Sequence, residues 1–164
     1  MQIQVVMLKQ DDPKKCTAAK LVKFGLAKNV KKTTTKTLIL NPFSKKTLIP
    51  NDQKLVDSIT AIDCSWNLAD EALIQKFSGI HRKLPPLLAG NPVNYSKLDK
   101  LTSVEAIAGS LIILGQKNLG LQLLDKFKWG HTFFELNENL LNDYSQINSN
   151  EQISEILKEY NILK

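Results

Sequence analysis

Residues 84–106 read LPPLLAGNPVNYSKLDKLTSVEA. Leu87, Leu88 and Ala89 are a short apolar run that predicts a strand, while Gly90, Asn91, Pro92, Asn94 and Ser96 are turn formers. Thr102-Ser103-Val104-Glu105 is the capping-box pattern that opens a helix. Strand, loop and helix start in this order belong to an open α/β sheet, which places ligands in the loops at the carboxyl ends of its strands. A helix N-terminus behind such a loop adds oriented N–H donors. The loop's only ionisable side chains are Tyr95, Lys97, Asp99 and Lys100, so it reads as a cradle made of backbone, suited to holding a ligand more than to supplying acid and base.

Upstream, the same alternation continues. Ile3 to Leu8 is nearly all apolar, as a strand buried on both faces of a parallel sheet would be. Cys16 to Ala27 has helical spacing at Ala19, Leu21, Val22 and Leu26, followed by a polar connector, KNVKKTTTK. Thr37–Leu40, Thr47–Ile49 and Thr60–Cys64 predict further strands, with a brief helix at Gln53–Ser58 and a longer one at Asn67–Phe77. Strands alternating with helices predict an α/β fold with a parallel sheet. After Leu84 the pattern becomes helical: Ser103–Leu114, Asn118–Phe127, Trp129–Tyr144 and Asn150–Tyr160. The last buries Ile153, Ile156, Leu157 and Tyr160 on one face, with Ser149 to Gln152 as its capping box. Residues 1–83 thus read as a basic α/β domain and 84–164 as a mostly helical one that completes the site.

A chain of 164 residues, 43% hydrophobic, is long enough to bury a core, and no apolar stretch approaches a membrane span. The opening MQIQVVMLKQDDPKK lacks a signal peptide's order, so a soluble cytoplasmic protein is expected. Cys16 and Cys64 form no CxxC and read as small interior hydrophobes, and His81 and His131 are too far apart for metal-ligand spacing. Charge is uneven. Residues 1–50 carry eleven lysines against Asp11 and Asp12, net +9, whereas the rest carries eleven basic and fourteen acidic groups, net −3. Lys14, Lys15, Lys20, Lys23, Lys28 and Lys31 either form a phosphate-facing RNA patch or a solvated lysine-rich surface of the kind thermophiles favour. Arg82 is the chain's one arginine, which disfavours bidentate base reading and favours recognition through backbone charge and RNA shape.

Absent motifs narrow the chemistry. There is no GxGxxG, no GxxxxGK[ST], no GxSxG and no HExxH, which removes dinucleotide sites, kinases and the common hydrolases. Three loops remain at predicted strand ends: Lys9–Thr17, Ile62–Trp66 and the segment quoted above, and in a parallel sheet such ends converge on one crevice.

DDPKKCT, LNPFSKKTLIPND, AIDCSWN and RKLPPLLAGNPVNYSKLDKLTSVEA, in this order and spacing, closely resemble the 3-amino-3-carboxypropyl (acp) transferases of ribosome biogenesis, in their archaeal-type form. The resemblance covers residues 1 to about 127. It implies a SPOUT-like fold with a C-terminal trefoil knot and S-adenosylmethionine held largely by main chain. By motif position, Thr17 binds the amino-acid end, the Ile62 carbonyl the ribose hydroxyls, and the main chain of Leu84 and Asp99 the adenine edge, with Ser103 beside it. Leu40, Trp66, Leu101 and Ala106 form the apolar walls. Ser96 stands where family members often carry glycine, and Asp99 where an aromatic is common.

The implied chemistry suits a cradle poor in acids and bases. A sulfonium already activates its three attached carbons, so the protein has chiefly to aim one of them at a nucleophile and exclude water. The attacking uracil nitrogen of a pseudouridine carries a proton, for which Asp63 is the candidate general base; the competing reading makes Asp63 a carboxylate that braces its loop through backbone N–H groups. Trp66 is a cofactor wall or a core residue. The implied partner is small-subunit ribosomal RNA, with no metal and a monomeric chain. Two other functions stay open, a SPOUT-type RNA methyltransferase, usually dimeric, and a non-catalytic RNA-binding assembly factor.

Overall fold

The structure, a computed structural model, describes residues 1–8, 14–63 and 70–162. Cys64, Trp66, the predicted helix start at Asn67, and Lys9 to Pro13 of the first loop lie outside these residues. Five strands form one parallel sheet: β1 (Gln2–Met7), β2 (Lys28–Asn29), β3 (Thr37–Leu40), β4 (Ser58–Asp63) and β5 (Ile80–Arg82), in the order β2-β1-β4-β3-β5. The central strand β4 pairs along its length with β1, from Gln2 opposite Ser58 to Met7 opposite Asp63, and with β3 from Thr37 opposite Ser58 to Leu40 opposite Ala61. Val5, Leu38, Ile39 and Ile59 are buried on both sides of the pleat, as the unbroken apolar runs require.

The helices between the strands are shorter than their sequence patterns. α1 (Thr17–Lys23) stops four residues before Ala27 because Gly25, at φ +71°, turns the chain and lets Leu26 N–H reach the Leu21 carbonyl. The predicted helix at Gln53–Ser58 is a 3-10 helix at Pro50–Leu55, displaced toward Pro50, which occupies its first turn, and Asp52, whose carboxylate takes the Ile49 N–H. That same capture ends the predicted strand at Thr47–Ile49, which is reduced to one bridge from Thr47 to Lys83. α2 (Glu71–Gln75) is shorter than the helix expected over Asn67–Phe77, because Asp70, in extended backbone, caps it by accepting the Ala72 N–H and Lys76 ends it. Two strands escaped the sequence reading: β2 is two exposed polar residues, and β5 carries His81 and Arg82 on a half-buried edge, so neither shows an apolar run.

In the C-terminal half, α3 (Ser103–Ile113), α4 (Lys117–Leu124), α5 (Gly130–Tyr144) and α6 (Glu151–Glu159) follow the expected order. Every residue of α3 from Ile107 to Ile113 is buried, because the sheet, α1, α4 and α5 all pack on it. At α6 only the return half of the expected capping box forms: the Gln152 side chain accepts from the N–H groups of Asn148 and Ser149, while Asn150 provides no side-chain cap. Leu87 to Ala89 is not a sheet strand. Its main chain is satisfied elsewhere: Leu88 N–H and C=O both bond the buried Asn137 side-chain amide of α5 at 2.8 Å, and Ala89 pairs with Ser96 and Lys97 of its own loop. Tyr144 of α5 adds a hydrogen bond to the Pro86 carbonyl at 3.0 Å. Gly90 follows because a Cβ there would collide with the backbone of Phe133 on α5. Among the described residues no helix is long and apolar enough to cross a membrane.

Candidate functional site

From β1 the chain leaves through α1 toward β2, and from β4 it leaves through α2 toward β5 at the opposite edge. The carboxyl ends of β1 and β4 are therefore a topological switch point, where the departing connections leave a crevice. A cavity of about 710 Å³ opens there, within the range of small-ligand sites. Thr17, Leu40, Ile62 and Asp63 line it from the sheet side. Leu84, Asp99, Leu101, Ser103 and Ala106 line it from the C-terminal half. The structure thus brings together eight residues that sequence assigned to a cofactor, and Asp63 sits among them; Trp66 lies outside the described residues. Asn41, Pro42, Ile74, Asn91 and Val93 also line the cavity, none of which the sequence reading singled out as a ligand contact.

Asp63, the last residue of β4, sits between the starts of two helices. Its Oδ2 accepts from the Cys16 thiol at 2.9 Å and its Oδ1 from the Ser103 hydroxyl at 3.3 Å. Among the described residues both donors are side chains. Cys16 is accordingly more than the small hydrophobe expected: it is a buried free thiol that caps α1, accepting from Ala19 N–H, and it donates to Asp63. Burial, reinforced by the hydrogen bond to Asp63, pushes this thiol up to about 11. Thr17 joins the same junction from the other direction, its hydroxyl oxygen accepting from Val104 N–H at 3.3 Å, which leaves its own proton to donate.

The loop across the cavity is held by one fully buried carboxylate. Glu105 accepts five hydrogen bonds: from the N–H of Gly90 (2.7 Å), Asn91 (3.0 Å) and Thr102 (2.7 Å), the Asn91 amide (2.8 Å) and the Thr102 hydroxyl (2.8 Å). The capping box at Thr102 and Glu105 forms as expected, and only the fold reveals that the same glutamate also anchors residues 90 and 91. Farther along, Ser96 and Asp99 take left-handed backbone, at φ 61° and 58°. Asp99 N–H is committed to the Leu87 carbonyl at 2.9 Å, so only the carbonyl side of its main chain is left for a ligand.

Of the lysines read as an RNA patch, Lys14, Lys15, Lys23, Lys28 and Lys31 are exposed, and Lys15 reaches the cavity wall. Lys20 is half-buried, its ammonium 5.9 Å from the Phe127 ring centroid. Arg82 is spent inside the protein in a forked ion pair with buried Asp52, its guanidinium nitrogens 2.9–3.1 Å from the carboxylate. No group of three or more metal-ligating side chains occurs among the described residues.

Fold and site together define an α/β protein with a cavity of small-ligand size at the carboxyl edge of a parallel sheet, against a helix N-terminus. Residues 38–161 match the family model described as ribosome biogenesis protein, C-terminal. The chain is 41% identical over 163 residues to the 16S rRNA aminocarboxypropyltransferase of Methanococcoides burtonii, covering 96% of this chain and 94% of that one. It is 42% identical over 161 residues to the enzyme of the same name from Sulfurisphaera tokodaii, covering 97% and 95%. Its fold is similar to the SAM-dependent rRNA:acp-transferase Tsr3 from Vulcanisaeta distributa, with a TM-score of 0.86, 35% identity and coverage of 96% of this chain and 89% of that chain. The chain belongs to the family of 16S rRNA aminocarboxypropyltransferases. Residues 1–34 also match a model described as a possible Fer4-like domain in RNase L inhibitor. Cluster iron is held by about four thiolates. Cys16 is the only cysteine in that segment and one of two in the chain, so these residues do not fit a cluster.

Proposed function

We propose that this chain transfers the 3-amino-3-carboxypropyl group of S-adenosylmethionine to a pseudouridine, with or without an N1-methyl group, of small-subunit ribosomal RNA during ribosome biogenesis. The observation that carries the reading is the convergence of Asp63 and eight motif-assigned residues, spread from Thr17 to Ala106, on one cavity of ligand size. S-adenosylmethionine, when bound, would supply a sulfonium whose attached carbons need no further activation: its bond from sulfur to the aminocarboxypropyl carbon would break as the new nitrogen–carbon bond forms, with methylthioadenosine leaving as a neutral thioether.

The protein's part is then to hold and aim. Leu40, Leu101 and Ala106 offer apolar walls, and the Ile62 carbonyl faces the ribose hydroxyls. Leu84 and Asp99 meet the adenine edge through main chain; for Asp99 this falls to its carbonyl, since its N–H is bonded to Leu87. The Thr17 hydroxyl donates toward the amino-acid end. Asp63 accepts the proton that the uracil nitrogen gives up, its carboxylate kept in place by Cys16 and Ser103.

The test supplies small-subunit RNA with S-adenosylmethionine labelled in either the carboxyl or the methyl group. Carboxyl label in the RNA is expected. Methyl label alone would replace the reading with a methyltransferase, and no label at all with a non-catalytic RNA-binding factor. The same reading includes a SPOUT-like, archaeal-type fold with a C-terminal trefoil knot and a cytoplasmic monomer. Light scattering should return a mass near 18.4 kDa, and a dimer would favour the methyltransferase instead.

A further inference from the structure

Two Asn-Pro turns rim the cavity, at Asn41-Pro42 after β3 and at Asn91-Pro92 in the cradle loop. They are built alike. Each asparagine is almost fully buried, 1% and 3% exposed, and folds its side-chain oxygen onto a following N–H: Asn41 onto Phe43 at 2.9 Å, Asn91 onto Asn94 at 3.0 Å. Each turn then presents an aromatic ring outward, just past the last cavity-lining residue of its turn. Phe43 follows Pro42 and is 41% exposed; Tyr95 follows Asn94 and is 57% exposed, with Val93 on the same loop 83% exposed.

Exposed large apolar side chains are ordinary singly, but Phe43, Val93 and Tyr95 are gathered on the two turns that rim one cavity, the kind of grouping that marks an interaction site. The Tyr95 loop is held from below by the Glu105 clamp and the Ala89 pairing to Ser96 and Lys97, and the Phe43 turn by the Asn41 bonds to Phe43, Ser44, His81 and Arg82, so the backbone of neither turn needs ordering when something docks on it. The surroundings name the partner. Exposed Lys45 and Lys46 follow Phe43, exposed Lys97 and Lys100 follow Tyr95, and exposed Lys83 lines the cavity. Asp99, the only acid between Lys83 and Leu101, accepts from Leu87 N–H through its carboxylate. Aromatic faces set among lysines match unpaired nucleobases on a phosphate backbone, the form in which RNA presents splayed bases to proteins.

We infer that Phe43 and Tyr95 are a stacking platform at the mouth of the cavity, holding nucleobases of a single-stranded or loop segment of the substrate RNA beside the reacting position. The inference rests on the proposed function for the identity of the RNA. Filter binding of the full chain to small-subunit ribosomal RNA across a salt series tests it, using Phe43→Ala, Tyr95→Ala, the double variant and Tyr95→Phe.

The double variant should bind RNA about tenfold to a hundredfold more weakly, with KM for RNA raised, because stacking is removed. The slope of log affinity against log salt should stay unchanged, since every phosphate remains neutralised as before. Tyr95→Phe, which keeps the ring, should bind like the parent. Unchanged RNA affinity, including a case in which only association with the assembled subunit fails, would overturn the platform. So would an affinity loss that comes with weaker S-adenosylmethionine binding or a lower melting temperature. A parent protein that binds RNA yet transfers neither label refutes the transferase reading alone, and the binding arm still judges the rings.

Discussion

Asp63 is acidic, ends the central strand and meets two donors that arrive from residues 47 and 40 positions away. If it takes the substrate proton, Asp63→Ala should lower kcat by at least about a hundredfold with little change in cofactor affinity, measured by single-turnover transfer and calorimetry. Asp63→Asn keeps the shape and should show the same kinetic loss; a defect confined to cofactor affinity would make the residue a brace. Cys16 carries a second prediction. Its folded-state pKa of about 11 lies above the ordinary 9.0, so the folded protein holds this proton more tightly than the unfolded chain does. Its stabilising contribution is complete below pH 9 and declines as pH rises toward 11. Denaturant melts at about pH 8 and about pH 10.5 should show that decline, and Cys16→Ala should flatten it. Ser96, at φ 61°, occupies a conformation that costs a side chain roughly 1–2 kcal/mol. Ser96→Gly should stabilise the protein by about 0.5–1 kcal/mol after the extra freedom of glycine in the unfolded chain is set against it. Thermal melting reads the sign.

At the scale of elements, the cradle depends on α3. Both oxygens of Glu105 are surrounded by donors, so Glu105→Gln would point an NH2 group at other N–H groups inside the protein. A loss of about 2–4 kcal/mol is expected. Hydrogen exchange should quicken at Gly90 and Asn91 first, with cofactor affinity falling in parallel; unchanged exchange there would show that the loop is held by other means. The start of α3 was legible because a capping box is a contiguous pattern of four residues. Leu87 to Ala89 was misread as a strand for the complementary reason. An apolar extended run announces its own conformation but not its partner, and here the partner is Asn137, 49 residues on, in a helix. Likewise β2 and β5 have no apolar run to announce them and are strands only because Gln4, Val5 and β3 lie beside them.

For the whole molecule, three lysines of the basic first third lie along one edge of the sheet. Lys23 ends α1, Lys28 lies in edge strand β2 and Lys31 follows it, all exposed. Lysines on an edge strand also discourage edge-to-edge pairing, so two reasons for their presence coexist. Lys→Glu at each of the three should weaken RNA binding at low salt and leave cofactor affinity intact. The salt dependence should become shallower by about 0.7–0.9 for each phosphate left without its lysine. Equal RNA affinity in parent and variants would leave these residues as edge protection and solvated surface.

Sequence alone determined what neighbouring residues decide together: the parallel α/β character, the capping box that starts α3 and the motif positions of the residues that line the cavity. Only the tertiary structure decided which strand ends face each other at the switch point. It also set Cys16 and Ser103 on Asp63, tied one glutamate to both ends of a loop, and gave an extended segment a helix for its partner. Local conformation follows from side chains a few positions apart, within one turn or pleat. Hydrogen bonds that span 40 or more residues exist only once the whole chain has closed around a shared core, and the site is made of those bonds.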